Sequence, residues 1–389
     1  MQFMTNDAHA ILIFWLKTAR TRNRKWTLWL IATICLTNFA SAVRRAVAGE
    51  FNFERYQEWS EYESYLRSAA KQFPQIAQLK TIGKSREGRP LIGLKATFRR
   101  TTCSIIGSSV GDQNKPGVWI DGIMHSREWP SGQVAVYFID LLLTGYKNNE
   151  RITSYIDKLN IYIFPVINPD GLVYSKTSPS DTVRQWRKNR APENCTGYAN
   201  YKHIDRCCEG VDLNRNFDVA FRQTSYPFNN PCSDEYQGPF PFSEPETIAI
   251  RDFFLNPEIN GNVQAVISLH THGQFFILPY NFARKTYPDD YQDLKNVALR
   301  AASAITDVYG ETEYKVGTGV DLFGIPASGG MIDWIKLNTK TKYVYVIELP
   351  PELRTSFAFQ IKPHWLLPTC KETSAGLEVI VRQVMNEFG

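Results

Sequence analysis

The chain has 389 residues, 43% hydrophobic and 21% charged, which is enough apolar material for a large buried core and excludes a disordered or low-complexity protein. Of the net charge of +5, residues 1–42 hold +4, through Lys17, Arg20, Arg22, Arg24 and Lys25 against Asp7, and the remainder holds +1. A near-neutral body excludes an electrostatic basis for binding nucleic acid or an anionic membrane, so no nucleic-acid partner is expected.

The basic cluster is followed by WTLWLIATICLTNFASA, residues 26–42, an uncharged run that ends in Ala40-Ser41-Ala42. Small residues at that spacing suit signal peptidase, so residues 1–42 are expected to be a secretory signal peptide. The alternative is a signal anchor at a membrane, but 17 uncharged residues are short for a span of about 20. Residues 43–50 read as a short linker and 51–389 as one domain. Cys35 departs with the signal, leaving Cys103, Cys195, Cys207, Cys208, Cys232 and Cys370. An even number in an exported chain points to disulfide bonds. Asn194-Cys195-Thr196 is a glycosylation sequon, which places Asn194 on a surface loop.

From residue 54 onward, helical and strand-like stretches alternate. Helical periodicity runs through ERYQEWSEYESYLRSAAKQFP and stops at Pro74. Strands are predicted at LIGLKAT, GVWIDGI, NIYIFPVINPDG, VQAVISLH and KYVYVIELP, each rich in Val, Ile, Tyr or Phe and bounded by turn residues. Helices are predicted at SGQVAVYFIDLLLTGY, SEPETIAIRDFFL, YQDLKNVALRAASAITDVYG and KETSAGLEVIVRQVMNEF. Such alternation predicts an α/β fold, a single-domain, mostly parallel twisted sheet with helices on both faces.

The strands end on polar residues. His125 and Glu128 follow VWIDGI, Asn168-Pro169-Asp170-Gly171 follows IYIFPVI, His270 closes VQAVISL and Glu348 closes YVYVI. Ligands of open α/β sheets gather beyond the carboxyl ends of strands. Read at the start of a helix, His125 and Glu128 share a face and can reach one cation. Zinc in hydrolases takes two histidines and a carboxylate and keeps one position open, so a second histidine is required. His270 is the natural one, while His272, two residues on, would share its face in an extended strand. Glu348 is placed to act as a general base. Arg187 in QWRKNR, with Asn214 and Arg215 in GVDLNRNFD, supplies fixed donors suited to a carboxylate.

Nine segments in order carry a resemblance: GKSREGRPL, DGIMHSREW, NPDGLVYS, QWRKNR, VDLNRNFD, YQGPFPFSEPET, SLHTHGQ, ASGGMIDW and IELP. From about Phe51 to Phe388 the chain resembles the zinc metallocarboxypeptidases of the carboxypeptidase A/B type. The resemblance implies an α/β/α sandwich and one Zn2+ held by His125, Glu128 and His270 rather than His272. It gives Asp212 the outer nitrogen of His125, and Arg187 the oxyanion of the scissile carbonyl. Asn214 and Arg215 would grip the C-terminal carboxylate, and Glu348 would activate water. Partners are then peptides or proteins with a free C-terminus, and the enzyme is expected to be a monomer.

The floor position of the specificity pocket, acidic in relatives that remove Lys or Arg, is Ile332 here, which implies the A-type preference for apolar or aromatic ends. His272 sits where the family often has an aromatic residue, so it is expected in the substrate groove. Family position also implies the pair Cys208–Cys232; Cys195 with Cys207 is the pair expected for the inserted loop, and Cys103 with Cys370 is what remains. Three departures stand out. Ile325 replaces the usual tyrosine that folds over substrate, no inhibitory pro-domain is recognisable before Phe51, and the connection over residues 97–115 is long. The loss of the phenol raises an alternative, a weak or inactive relative that binds peptide C-termini.

Overall fold

The computed structural model describes residues 51–98, 115–192, 208–221, 225–257, 259–354 and 359–389. The expected signal peptide and linker, Cys103, Asn194, Cys195 and Cys207 lie outside the described residues. In chain order the first half contains α1 (Trp59–Gln72), β1 (Ala77–Lys84), β2 (Pro90–Ala96), β3 (Gly117–Asp121), α2 (Trp129–Gly145), α3 (Glu150–Lys158), β4 (Asn160–Phe164), α4 (Pro169–Ser175) and α5 (Asp181–Arg184). The second half contains α6 (Pro245–Leu255), β5 (Val263–Gly273), β6 (Phe275–Leu278), α7 (Tyr291–Tyr309), β7 (Lys315–Thr318), α8 (Gly319–Phe323), α9 (Met331–Asn338), β8 (Tyr343–Glu352) and α10 (Pro363–Phe388).

The eight strands form one mixed sheet in the order β1-β2-β4-β3-β5-β8-β6-β7. Its centre, β4-β3-β5-β8, is parallel throughout. Parallel strands need helices on both faces, and their near-continuous apolar sequences supply both. Alternate residues point to opposite sides. Val118 and Ile120 therefore align with Ile161 and Ile163 and with Ala265 and Ile267 on one face. On that side Tyr345 donates to the Leu294 carbonyl of α7 at 3.0 Å, and Tyr343 donates to Glu387 of α10 at 2.6 Å. Trp119, Tyr162, Phe164, Val266, Val344 and Val346 project from the other face, against Ile250 and Phe254 of α6 and Ile332, Trp334 and Ile335 of α9. Trp119 stacks on Phe164 with centroids 4.5 Å apart and touches Phe253 and Phe254, pairs that contribute about 0.5–1.5 kcal/mol each beyond area burial.

Three strands were not expected. β1 is an edge strand with a mostly part-buried pattern and two lysines, and β6 and β7 have four residues each, too short for a periodic signal. α10 also starts earlier than predicted, at Pro363, and continues through Pro368 despite the lost N–H bond there. Among the described residues no helix is long and apolar enough to cross a membrane.

Cys208 and Cys232 form a disulfide across a sequence separation of 24. Cys370, by contrast, is a free thiol buried in α10, so the pairing with Cys103 is corrected: its side chain packs in the core. Closing a loop of this length restricts the unfolded chain by about 3–4 kcal/mol. A Cys208→Ser/Cys232→Ser variant should lose about that much in urea unfolding; a loss below about 1 kcal/mol would show that the bridge adds little.

Candidate metal centre and substrate cleft

β3 ends at Asp121 and the chain turns at once. A side chain at Gly122 would put its Cβ 2.8 Å from the Ser131 carbonyl, so glycine is required where the turn crosses α2. His125 and Glu128 are not on a helix, as the spacing suggested. They close a turn in which the Glu128 N–H donates to the His125 carbonyl at 3.1 Å, and Glu128 then caps α2. Ser131 locks the turn by accepting from Ile123 N–H at 2.8 Å and donating to the Glu128 carbonyl at 2.7 Å. Ser126 ties it to the next segment through the Lys188 carbonyl at 2.7 Å.

His270 comes from β5, in register with Glu348 on β8. Its Nδ1 lies 2.8 Å from Glu128 Oε2 and 3.1 Å from His125 Nδ1, which is 2.8 Å from Glu128 Oε1. Donor atoms of the three residues all fall within 4.8 Å of one another, and all three side chains are buried. Both imidazoles turn Nδ1 inward and spend Nε2 outward. His125 Nε2 is 3.0 Å from Asp212 Oδ1, the contact expected from the resemblance. His270 Nε2 is 3.1 Å from Ser268 Oγ, which donates to Asp121 Oδ1 at 2.6 Å; the Trp119 indole N–H holds the other Asp121 oxygen at 2.7 Å. An outer acceptor on each imidazole suits the tautomer that would offer an unprotonated Nδ1 to a bound cation. Two such imidazoles with one carboxylate fit a zinc ion.

The Asp121–Ser268–His270 chain was missed in the sequence, because Asp121-Gly122 reads as a simple turn. Its signal is the period of two: Trp119 and Asp121, then Val266, Ser268 and His270, then Val344, Val346 and Glu348, share one face of the sheet. That face changes from apolar to polar where the strands leave the core.

Electrostatics follow from burial and proximity. Burial would raise the Glu128 carboxyl, but His125 and His270 together hold it well below the usual carboxylate range. Asp212 is likewise depressed against its burial by Arg187 and His125. Burial opposes the charge of Arg187, yet Asp212 and Glu128 keep it above its ordinary value. Glu348 is pushed up to about 7, first by burial and then by Glu128. Asp121 is pushed up to about 6 by burial, with Ser268 and Trp119 limiting the rise.

A cleft of about 220 Å³ opens beside this cluster, lined by Arg187, Asn214, Arg215, Ile325, Ile332 and Glu348 among others. Arg187 Nε donates to Asp212 Oδ2 at 2.8 Å. Asn214 Oδ1 accepts from Met331 N–H at 2.9 Å, which leaves its amide nitrogen for the cleft. Arg215 is braced by Glu235 Oε2 at 2.8 and 3.2 Å and by the Asn214 carbonyl at 2.9 Å, a partner not foreseen from sequence. Gly329 (φ +66°) lies so close that a Cβ there would overlap the Arg215 carbonyl. Ile332 joins Ile277 and Val346 in an apolar wall. The neighbouring acid, Asp333, is buried and directed to Asn281 and Phe282, from which it accepts three hydrogen bonds of 2.7–3.1 Å. Ile325 stands at the mouth, 72% exposed.

His272 does not line this cleft; its ring meets Phe359 at 4.9 Å, and the Arg127 guanidinium lies 4.4 Å from that same Phe359 ring. Nor do Asn168 and Asp170 belong to the cleft. Asn168 caps α4 and braces the Met124 and Lys188 carbonyls, while Asp170 binds Ser85 and Arg89.

A sheet with a two-histidine, one-carboxylate cluster beside an arginine-lined cleft at its strand ends is the arrangement of a metallopeptidase class. The family model described as zinc carboxypeptidase (Peptidase_M14) matches residues 62–376, and the chain belongs to that family. It is 35% identical over 341 residues to carboxypeptidase A2 of Rattus norvegicus, covering 88% of this chain and 73% of that one. It is 32% identical over 333 residues to carboxypeptidase B of Astacus astacus, covering 86% and 98%. The solved carboxypeptidase A of Helicoverpa armigera superposes with a TM-score of 0.72 at 27% identity, covering 97% and 87%. The protein is a metallocarboxypeptidase, a hydrolase of C-terminal peptide bonds in a zinc-dependent family.

Proposed function

We propose that this enzyme is secreted after cleavage at Ala42 and removes apolar or aromatic C-terminal residues. The observation that carries the preference is the apolar wall of Ile332, Ile277 and Val346 in the cleft that also holds Arg187, Asn214, Arg215 and Glu348. His125, Glu128 and His270 would hold the zinc. When bound, zinc supplies Lewis-acid polarisation of the scissile carbonyl and acidifies water. Glu348 takes the proton from the attacking water and passes it to the leaving amine. The N–H groups of Arg187 not used by Asp212 face the carbonyl oxygen as it gains charge. Asn214 and Arg215 hold the terminal carboxylate, which restricts cleavage to the last residue. His272, beside Phe359, would border the penultimate residue.

Matched peptides ending in Phe, Leu and Arg test this reading, each assayed with and without a zinc chelator. An apolar pocket leaves a buried cation unpaired at a cost of several kcal/mol, so Phe or Leu ends should be preferred by about 100-fold or more in kcat/KM. Faster release of Arg would refute the preference.

Ile325 favours a second reading, a weak enzyme or C-terminus binder, because it brings no hydroxyl to the cleft mouth. Ile325→Tyr should add one hydrogen bond of about 0.5–1.5 kcal/mol, a roughly 2- to 12-fold lower KM. An unchanged KM and kcat would remove Ile325 from the account of substrate binding.

A further inference from the structure

Past Glu348, β8 runs into Pro350 and Pro351, where a separate cavity of about 340 Å³ opens, larger than the substrate cleft and sharing none of its lining residues. Its sides are Pro350, Pro351, Ile361, Trp365 and Tyr309. Trp365 and Tyr309 are about half exposed, so their rings are open to a ligand. Glu372 of α10 lines the interior, only 4% exposed. One of its oxygens accepts from Thr312 Oγ1 at 2.9 Å; the other has no hydrogen bond, and no basic side chain pairs with Glu372, among the described residues. Burial pushes this carboxyl up to about 7. Glu311 adds a second, exposed acid to the lining and Lys362 one exposed base.

A buried carboxylate without a cation is costly, and aromatic faces attract cations. A bound cation would favour the ionised form of Glu372 that burial alone disfavours, whereas an anion would meet two acids against the single base Lys362. We propose that this cavity binds a primary alkylammonium group, with the alkyl chain against Trp365, Tyr309 and the two prolines and the head at Glu372. A free amine and a lysine side chain of a peptide share that chemistry.

Full-length enzyme should be titrated by calorimetry with n-butylammonium, with 1-butanol, and with a lysine peptide blocked at both ends, which offers the substrate cleft no terminal carboxylate. Crystals soaked in n-butylammonium locate the site. Binding of either ammonium probe, weakened about tenfold or more by Glu372→Gln and by Trp365→Ala, with no binding of 1-butanol, supports the assignment. Binding of the peptide alone, with the same sensitivity to both substitutions, identifies the source as a protein side chain. Trp365 is exposed, so its substitution keeps the test decisive if Glu372→Gln does not fold. Equal affinity for 1-butanol, indifference to both substitutions, or no binding of either ammonium probe overturns it. Peptidase activity is not the readout, so the outcome is independent of the proposed substrate preference.

Discussion

Glu348→Gln should lower kcat by about 10²–10⁴, the range that positioned general acid–base groups contribute, while zinc content stays at the wild-type level. Glutamine keeps the shape and volume but cannot take a proton. Glu348 lines the cleft wall in register with His270, and it is not one of the three converging donors. Its part-buried carboxyl lies beside the charge of Glu128, so a neutral amide relieves repulsion and should leave thermal stability equal or higher. Steady-state kinetics, metal analysis by atomic absorption and thermal unfolding check the three outcomes in turn. A kcat within about tenfold of wild type would assign the proton transfer elsewhere.

Asp212→Ala should have the largest effect on the fold of the site. The Asp212 carboxylate accepts from His125 Nε2 at 3.0 Å, Arg187 Nε at 2.8 Å and Asn214 N–H at 2.9 Å. Its removal leaves the largely buried Arg187 without its main counter-charge, a loss of about 3–5 kcal/mol for a broken buried pair. The imidazole of His125 loses its outer acceptor, and zinc affinity should fall about 10- to 100-fold. Urea unfolding and competition with a chelator measure the two losses separately. The sign of the pH dependence follows from the depressed carboxyl. Its stabilisation is complete above the unfolded value of about 3.9 and is lost as pH falls toward the folded value, so the gap between wild type and Asp212→Ala should narrow below about pH 4. A gap below about 1 kcal/mol at pH 7 would contradict this role.

The central sheet was legible because its strands are buried on both sides and so read as unbroken apolar runs. Their polar ends, His125 with Glu128, His270 and Glu348, stood out against that background. Edge strand β1 carries lysines and part-buried positions, which dilute the signal. The helical reading of His125 and Glu128 erred because i,i+3 spacing serves a tight turn equally well, and Glu128 is the cap rather than part of the helix. Asn168 and Asp170 looked like ligands for the same reason as the true candidates, a polar cluster after a strand, yet they brace loops. Glu235 could not be matched to Arg215 across 20 residues without the fold. Cys370 shows that cysteine parity is a weak guide where a thiol can simply pack in a core.

The shared face of β3, β5 and β8 carries one more consequence. Trp119 and Asp121, Val266 and His270, and Val346 and Glu348 are separated by even steps along extended chain. Deleting one residue between Val266 and His270 would therefore rotate His270 to the far side of the sheet instead of nudging it. The inner packing works as a checksum on the chemistry. A chain whose Trp119 layer has assembled in the right frame has, by the same pairing, already aimed its histidine and its glutamate, and a chain in the wrong frame has aimed neither.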